Sequence, residues 1–175
     1  MTQTKQHTVA DSPYGPLTLV ADDGVLCGLY MTDQRHRPPE ETFGMEVPPR
    51  ERSRAWGSDD TPFAEAKEQL KAYFAGELKE FTLELRLHGT LFQRRVWDQL
   101  TRIPYGETRS YGQLADVLGS PKASRAVGLA NGRNPIGIII PCHRVIGASG
   151  GLTGYGGGLV RKQRLLDFER GTALF

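Results

Sequence analysis

The first thirty residues alternate short apolar runs with turn residues. "HTVADS" leads into Ser12-Pro13-Tyr14-Gly15-Pro16, then "LTLVADD", then Asp23-Gly24, then "VLCGLYM". Proline and glycine at this spacing predict three strands of a β-meander. Cys27 lies inside the third and reads as a small buried hydrophobe. Residues 32–60 are polar and rich in proline and both charges, which predicts a long surface loop. Thr61 and Pro62 then form a cap and first-turn pair for a helix whose apolar stripe is Phe63, Ala66, Leu70 and Phe74, with Gly76 as its stop. In "FTLELRL", Phe81, Leu83, Leu85 and Leu87 alternate with polar residues as a half-buried strand does.

From Thr90 the period becomes helical. Phe92, Val96 and Leu100 share one face, and Ser110 is placed to cap "YGQLADVL", with Leu114, Ala115 and Leu118 toward a core. Gly119 breaks that helix, and Ser120-Pro121 predicts the cap and first turn of the next, "KASRAVGLAN". Two short helices so joined have the pattern of a helix-turn-helix. The second is built from small residues (Ala123, Ser124, Ala126, Gly128, Ala130), and only Lys122, Arg125 and Arg133 reach far. Such a helix either packs closely on a neighbour or approaches a minor groove with one arginine as its probe. "IGIII" (136–140) predicts a short buried strand or extended run, and "LVRKQRLLDFE" a final helix packing Leu159, Leu165, Leu166 and Phe168. The fold class is therefore α+β. Residues 1–88 form a small β-meander and helix domain that carries the loop 32–60. Residues 89–175 form a mainly helical, winged-helix-like domain with a helix-turn-helix.

Composition narrows the chemistry. In 175 residues the longest apolar run, Ile138–Ile140, is far too short to span a bilayer. The opening MTQTKQHTVADS lacks the apolar core of a signal peptide, so the expectation is a soluble, cytoplasmic protein. Two cysteines and four scattered histidines supply neither a disulfide framework nor zinc-ligand spacing, and no metal or other cofactor is expected. The net charge of +2 hides a split. Residues 1–90 carry 10 basic and 15 acidic side chains, whereas residues 91–175 carry 12 and 5. A basic half of this kind suits a polyanion partner.

Cys142 follows the apolar run directly, in "NPIGIIIPCHRV". A thiolate is the reactive form of cysteine, and His143 and Arg144 are the adjacent groups able to tune it. Neighbours in sequence do not share a helix face, so a water between Cys142 and His143 is easier than a direct bond. A base needs a third group to orient it, and Asp167 and Glu169 are the downstream carboxylates. "GASGGLTGYGGGL" (147–159) is neither a Walker nor a GxGxxG loop. It permits close backbone approach to a flat ligand, with Tyr155 as its one large side chain.

Taken together, "IPYGETRSYGQLA", "ASRAVGLANGRNP", "IIIPCHRVIGASGGLTGYGGGL" and "LLDFE" resemble, in order and spacing, the O6-alkylguanine-DNA alkyltransferases. The resemblance covers residues 78–170 strongly and the meander more loosely. It implies direct reversal of damage in double-stranded DNA. The alkyl group of O6-alkylguanine, and of O4-alkylthymine, passes irreversibly to Cys142 in one turnover. It further implies a relay of Glu169, His143 and a water onto Cys142, supported by Asn134, with Tyr111 protonating the leaving base. The base is flipped through the minor groove, and Arg125 fills its place. The other DNA contacts implied are Gln93, Tyr111, Gly112, Ser120, Lys122 and Ala126, and the base pocket is Pro141, Val145, Tyr155 and Gly156. Gly156 stands where some relatives carry serine, which implies a roomier pocket. Some relatives also bind zinc in the N-terminal domain, for which Cys27 alone is insufficient. Self-association of several molecules along one duplex is compatible with the sequence and not fixed by it. Three other readings of Cys142 stay open: a cysteine hydrolase, a lesion sensor that binds without repair, and a purely structural cysteine.

Overall fold

The computed structural model describes residues 5–47 and 62–172. It divides into two units, one of residues 1–32 and 37–87, the other of residues 33–36 and 88–175. In the first, β1 (Lys5–Ala10), β2 (Leu17–Asp22) and β3 (Val25–Met31) form the predicted antiparallel meander. Asp23 and Gly24 join β2 to β3 with φ of 48° and 81°, the two positive values that a two-residue type I′ hairpin requires. Leu17, Leu19 and Leu29 are fully buried, each side chain contributing about 1.5–3 kcal/mol.

Residues 32–47 depart from the predicted loop. Glu40–Phe43 form a 3-10 turn, and β4 (Met45–Glu46) pairs parallel to β1, so the sheet order is β3-β2-β1-β4. Phe43 is the reason: it is buried and stacks 5.5 Å from Tyr30, with the Arg37 guanidinium over its ring at 5.1 Å. A single aromatic in a polar stretch thus anchors the segment. Asp33–His36 belong to the second unit. Residues 48–61, including the predicted Thr61 cap, lie outside the described residues.

Helix α1 (Ala64–Phe74) starts two residues later than Pro62 predicts, and its N-cap Phe63 makes no side-chain cap bond. Its buried stripe is Phe63, Ala66, Leu70 and Tyr73, while Phe74 is half-buried. The alternating segment 81–87 is not a strand. It makes a single bridge, Leu26 to Leu85, beside β3. The Arg86 N–H donates to the Leu26 carbonyl at 2.9 Å, but the Thr82 N–H is taken by the Gln69 side chain (2.9 Å), so α1 supplies there what a longer ladder would.

In the second unit, α2 (Leu91–Thr101) opens on a Thr90/Gln93 capping box and buries Val96, Trp97 and Leu100, with the Trp97 indole donating to the Ala130 carbonyl at 2.9 Å. β5 (Arg109–Ser110) leads into α3 (Tyr111–Val117), capped by Ser110 as the sequence predicts, with Gln113 completing a capping box. α4 (Ser124–Gly132) begins at Ser124 with no side-chain cap. Ser120-Pro121 shapes the preceding turn instead, the Ala123 N–H donating to the Ser120 carbonyl at 2.8 Å. α3 and α4 form the helix-turn-helix. β6 (Val145–Ile146) pairs parallel to β5, and α5 (Leu159–Glu169) closes the unit. Among the described residues no helix is long and apolar enough to cross a membrane.

The run 136–140 is neither a strand nor extended. Ile138 has φ 69°, the Ile139 N–H donates to Gly137 and the Ile140 N–H to Ile136. A β-branched residue in the left-handed region is strained, and here the burial of Ile136, Ile138 and Ile140 holds it. The strained turn delivers Pro141 and Cys142.

Candidate active site

Cys142 opens a 3-10 turn, Cys142–Arg144, between that strained turn and β6. It is buried, 6% exposed. Asn134 staples the approach. Its Nδ2 donates to the Ile140 carbonyl at 2.8 Å and its Oδ1 accepts from the Ile136 N–H at 3.0 Å. Asn131 donates from Nδ2 to the Cys142 carbonyl at 3.3 Å. Burial pushes the Cys142 thiol up, against the opposing pull of the Asn134 amide and the Lys162 ammonium, so the resting group is the protonated thiol.

Next along the chain, the His143 ring is fully buried, with Nε2 2.8 Å from Glu169 Oε2. Its Nδ1 is buried and has no hydrogen-bond partner among the described residues. Burial lowers the His143 pKa below its ordinary value despite Glu169, so the ring is neutral near pH 7 and Nδ1 is available as an acceptor. Burial alone would raise the Glu169 pKa, but bonds to His143 and Arg144 outweigh it and hold the carboxyl far below the usual range. Arg144 does not tune the thiol. Its Nε and Nη2 grip Glu169 at 2.8 and 2.9 Å, and its Nη1 donates to the Ile103 carbonyl at 2.7 Å. Of the two downstream carboxylates Glu169 faces the histidine, while Asp167 accepts from Gln163 at 2.7 Å.

The β5–β6 pairing sets Ser110 beside Ile146 and brings the first turn of α3 to the cysteine segment. The Tyr111 hydroxyl donates to the Thr153 carbonyl of the glycine-rich loop at 2.8 Å. A residue that sequence reasoning passed over ties this region together. Lys162 is fully buried and donates to the carbonyls of both Val145 and Thr153, the latter at 2.8 Å, with its ammonium 5.9 Å from the Tyr111 ring. Burial brings its pKa down to about 8. The signal was present: Lys162, Leu165, Leu166 and Glu169 share one helical face, which places the lysine on the buried stripe of α5.

Cys142, Asn131, Asn134, Gly137, Tyr155 and Gly156 line a cavity of about 10 Å³, room for one water. The glycine-rich loop shuts it and is tethered, the Arg35 N–H donating to the Gly156 carbonyl at 2.8 Å and Arg161 of α5 donating to both the Gly157 carbonyl at 3.1 Å and Asp33 at 2.6 Å. Gly132, Tyr155 and Gly156 also line an adjoining groove of about 410 Å³, with Arg35, His36, Gly128 and Leu129. Pro141 and Val145 are buried behind the cysteine.

The remaining residues singled out from the sequence lie elsewhere. Ser120, Lys122, Arg125 and Ala126 are exposed on α4 and the turn before it, and Gly112 is half-buried in the first turn of α3. Gln93 is engaged in its capping box, its Oε1 accepting from the Thr90 N–H at 3.0 Å. Cys27 is buried with Val20, Tyr30 and Phe43 in the first unit, where burial raises its pKa. Among the described residues no group of three or more His, Cys, Asp or Glu is placed to hold a metal ion.

Two family models match the chain: the 6-O-methylguanine DNA methyltransferase ribonuclease-like domain over residues 6–87, and the DNA-binding domain of the same family over residues 91–171. A methylated-DNA–protein-cysteine methyltransferase of Mycolicibacterium paratuberculosis is 56% identical over 165 residues, covering 94% of this chain and 92% of its own. One of the same description from Methanosarcina acetivorans is 49% identical over 164 residues, covering 93% and 97%. The crystal structure of Mycobacterium tuberculosis OGT in complex with DNA superposes with a TM-score of 0.83 at 54% identity, covering 97% of this chain and 95% of that one.

Proposed function

The chain belongs to the 6-O-methylguanine DNA methyltransferase family, and on that footing we propose that it repairs O6-alkylguanine in duplex DNA by moving the alkyl group onto Cys142. The observation that carries this assignment is the buried Glu169–His143 pair at 2.8 Å, with the second ring nitrogen lacking a hydrogen-bond partner among the described residues and the buried Cys142 next to it in the chain. Through a water, His143 Nδ1 takes the Cys142 proton, and Glu169 stabilises the resulting imidazolium. The sulfur forms a bond to the alkyl carbon as the carbon–O6 bond breaks. The electron pair stays on the guanine, and a proton from the Tyr111 hydroxyl neutralises it at a ring nitrogen. The thioether product has no hydrolytic route back, so each molecule acts once.

A cavity of about 10 Å³ cannot hold a purine, so the glycine-rich loop moves before the base enters. Tyr111 and Lys162 both bond the Thr153 carbonyl, so displacing the loop also frees the Tyr111 hydroxyl to meet the base. α4 supports minor-groove docking, with Arg125 entering the stack and Lys122 and Ser120 on phosphates. Gly112 and Ala126 allow close approach, and Gln93 releases its cap to reach the backbone. O4-alkylthymine is a second, slower substrate in this reading, the protein works in the cytoplasm, and molecules associate side by side on long duplexes. A sigmoidal binding isotherm on long DNA supports that association, and a hyperbolic one refutes it.

Lesion consumption against protein concentration tests the reading. The expected result is a burst equal to the protein present, lost in Cys142→Ser. Continued turnover would favour a cysteine hydrolase, and lesion binding without consumption a sensor.

A further inference from the structure

Arg35 and His36 supply no group to the transfer itself, yet both line the groove of about 410 Å³ that adjoins the cysteine cavity. That volume falls within the roughly 300–1,000 Å³ of small-ligand sites. The two residues stand in a stretch, residues 33–36, that belongs to the second unit, and the Arg35 N–H on the Gly156 carbonyl fixes it to the glycine-rich loop. Consecutive side chains of an extended chain point to opposite faces. His36 departs from that pattern with φ 61°, a left-handed conformation uncommon outside glycine, and both basic side chains line one groove. Among the described residues lining it, none is a carboxylate. Asp33, the nearest in sequence, is held by Arg161 at 2.6 Å. Leu129 and Leu159 add apolar wall, 69% and 47% exposed. Tyr155 and Gly156 line both spaces, so a group too long for the cysteine cavity passes beside them into the groove. An apolar wall with two basic side chains and no acid fits an apolar arm that ends in an anion.

Resting on the proposed transfer to Cys142, we infer that this groove is the subsite for the arm of a bulky O6 adduct, and that Arg35 and His36 make it selective for arms ending in a carboxylate. The substrate class is guanine adducts whose O6 carries a carboxyaryl or long carboxyalkyl group, the product of alkylating agents that themselves bear an acid. A methyl group stays within the cysteine cavity, which neither Arg35 nor His36 lines. The chemistry is the same transfer. The sulfur bonds the first carbon of the arm as that carbon's bond to O6 breaks, the electron pair and a proton go to the guanine, and the arm remains on Cys142 as a thioether. At the far end the guanidinium donates two parallel N–H bonds to the carboxylate, and the imidazole donates one whether neutral or protonated. Both side chains are exposed, so the selection has the size of a surface ion pair.

The test compares single-turnover transfer to Cys142 from duplexes carrying O6-(4-carboxybenzyl)guanine or O6-(4-carbamoylbenzyl)guanine, two arms of one shape of which only the first is charged. DNA docking, base flipping and displacement are common to both, so a change in the ratio of the two rates between variants reads the groove alone. The charged-to-neutral ratio is expected to fall about three- to fivefold in Arg35→Gln, the factor of an exposed ion pair. It is largely kept in Arg35→Lys, falls further in Arg35→Glu, and falls about twofold in His36→Gln. A ratio that stays the same from wild type to Arg35→Glu would overturn the inference; if both duplexes slow together at that constant ratio, Arg35 lies on the DNA backbone instead. Failure to place either benzyl arm on Cys142, in protein that accepts methyl, overturns it as well. Failure with O6-methylguanine itself overturns the underlying reading, and this inference with it.

Discussion

As the proposed alkyl acceptor, Cys142 is unusual because burial makes it a poorer acid in the resting protein. In the proposed reaction its activation comes at the moment of transfer, from a neutral imidazole held by a carboxylate that stays ionised. The sign of the pH dependence follows. His143 has its pKa lowered by burial, so the fraction of usable base is full at pH 7 and falls only below the ordinary imidazole value of about 6.5. Transfer rates measured from pH 5 to 8 should be flat above about 6.5 and decline below it; a steep rise centred at pH 7 or higher would place the base elsewhere. Lys162 has a different role. Replacing it with methionine keeps the bulk but unties the Val145 and Thr153 carbonyls, and transfer should fall by at least about tenfold, as misplacement near reacting atoms does. An unaltered rate in Lys162→Met would make the lysine packing alone. At Gly156 an added Cβ would lie 3.4 Å from the Arg35 carbonyl, an ordinary contact, so Gly156→Ser should fold. Because Gly156 lines both the cysteine cavity and the adjoining groove, the serine is expected to slow benzyl transfer more than methyl transfer. Equal slowing of the two would show that bulky adducts do not use that groove.

At the level of elements, α4 presents Arg125, Ala126 and Leu129 to solvent while Val127, Ala130 and Asn131 face inward. Arg125→Ala should slow transfer from duplex DNA far more than from a single strand, where nothing need be filled behind the base. Equal losses on both would remove Arg125 from base flipping. Much of this was legible because local chemistry decided it: Asp23-Gly24 makes a hairpin in any context, and Ser110 followed by Gln113 makes a capping box. The misreadings fall where tertiary contacts decide. Alternation in 81–87 matched a strand, but the Gln69 side chain took the Thr82 N–H, and the pairing with β3 stops at the Leu26–Leu85 bridge and the Arg86 N–H on the Leu26 carbonyl. The apolar run 136–140 looked extended, and burial instead paid for a left-handed isoleucine. Within the site, the cysteine, histidine and glutamate were visible through the motif resemblance. Lys162 was visible only as one more basic residue until its helical face was counted.

Across the molecule, the same buried relay links function to stability. The unfolded chain binds a proton at His143 near pH 6.5, before the native ring does, so stability falls as pH drops below that value. Glu169, whose native pKa is depressed, adds a second loss that begins below the ordinary glutamate value of about 4.3. Thermal midpoints at pH 7 and pH 5 should therefore differ, the acid value being lower; an equal or higher value at pH 5 would show that His143 carries its proton in the native state. The basic residues 91–175 should make DNA binding weaken steeply with salt and depend little on sequence. All of this serves one event at one sulfur. Intact mass and peptide mapping after mixing the protein with excess duplex containing one O6-methylguanine reads that event directly. The account predicts one methyl per molecule, on the peptide bearing Cys142, and no more with time. A methyl on another residue, or lesion loss beyond one per molecule, would contradict it.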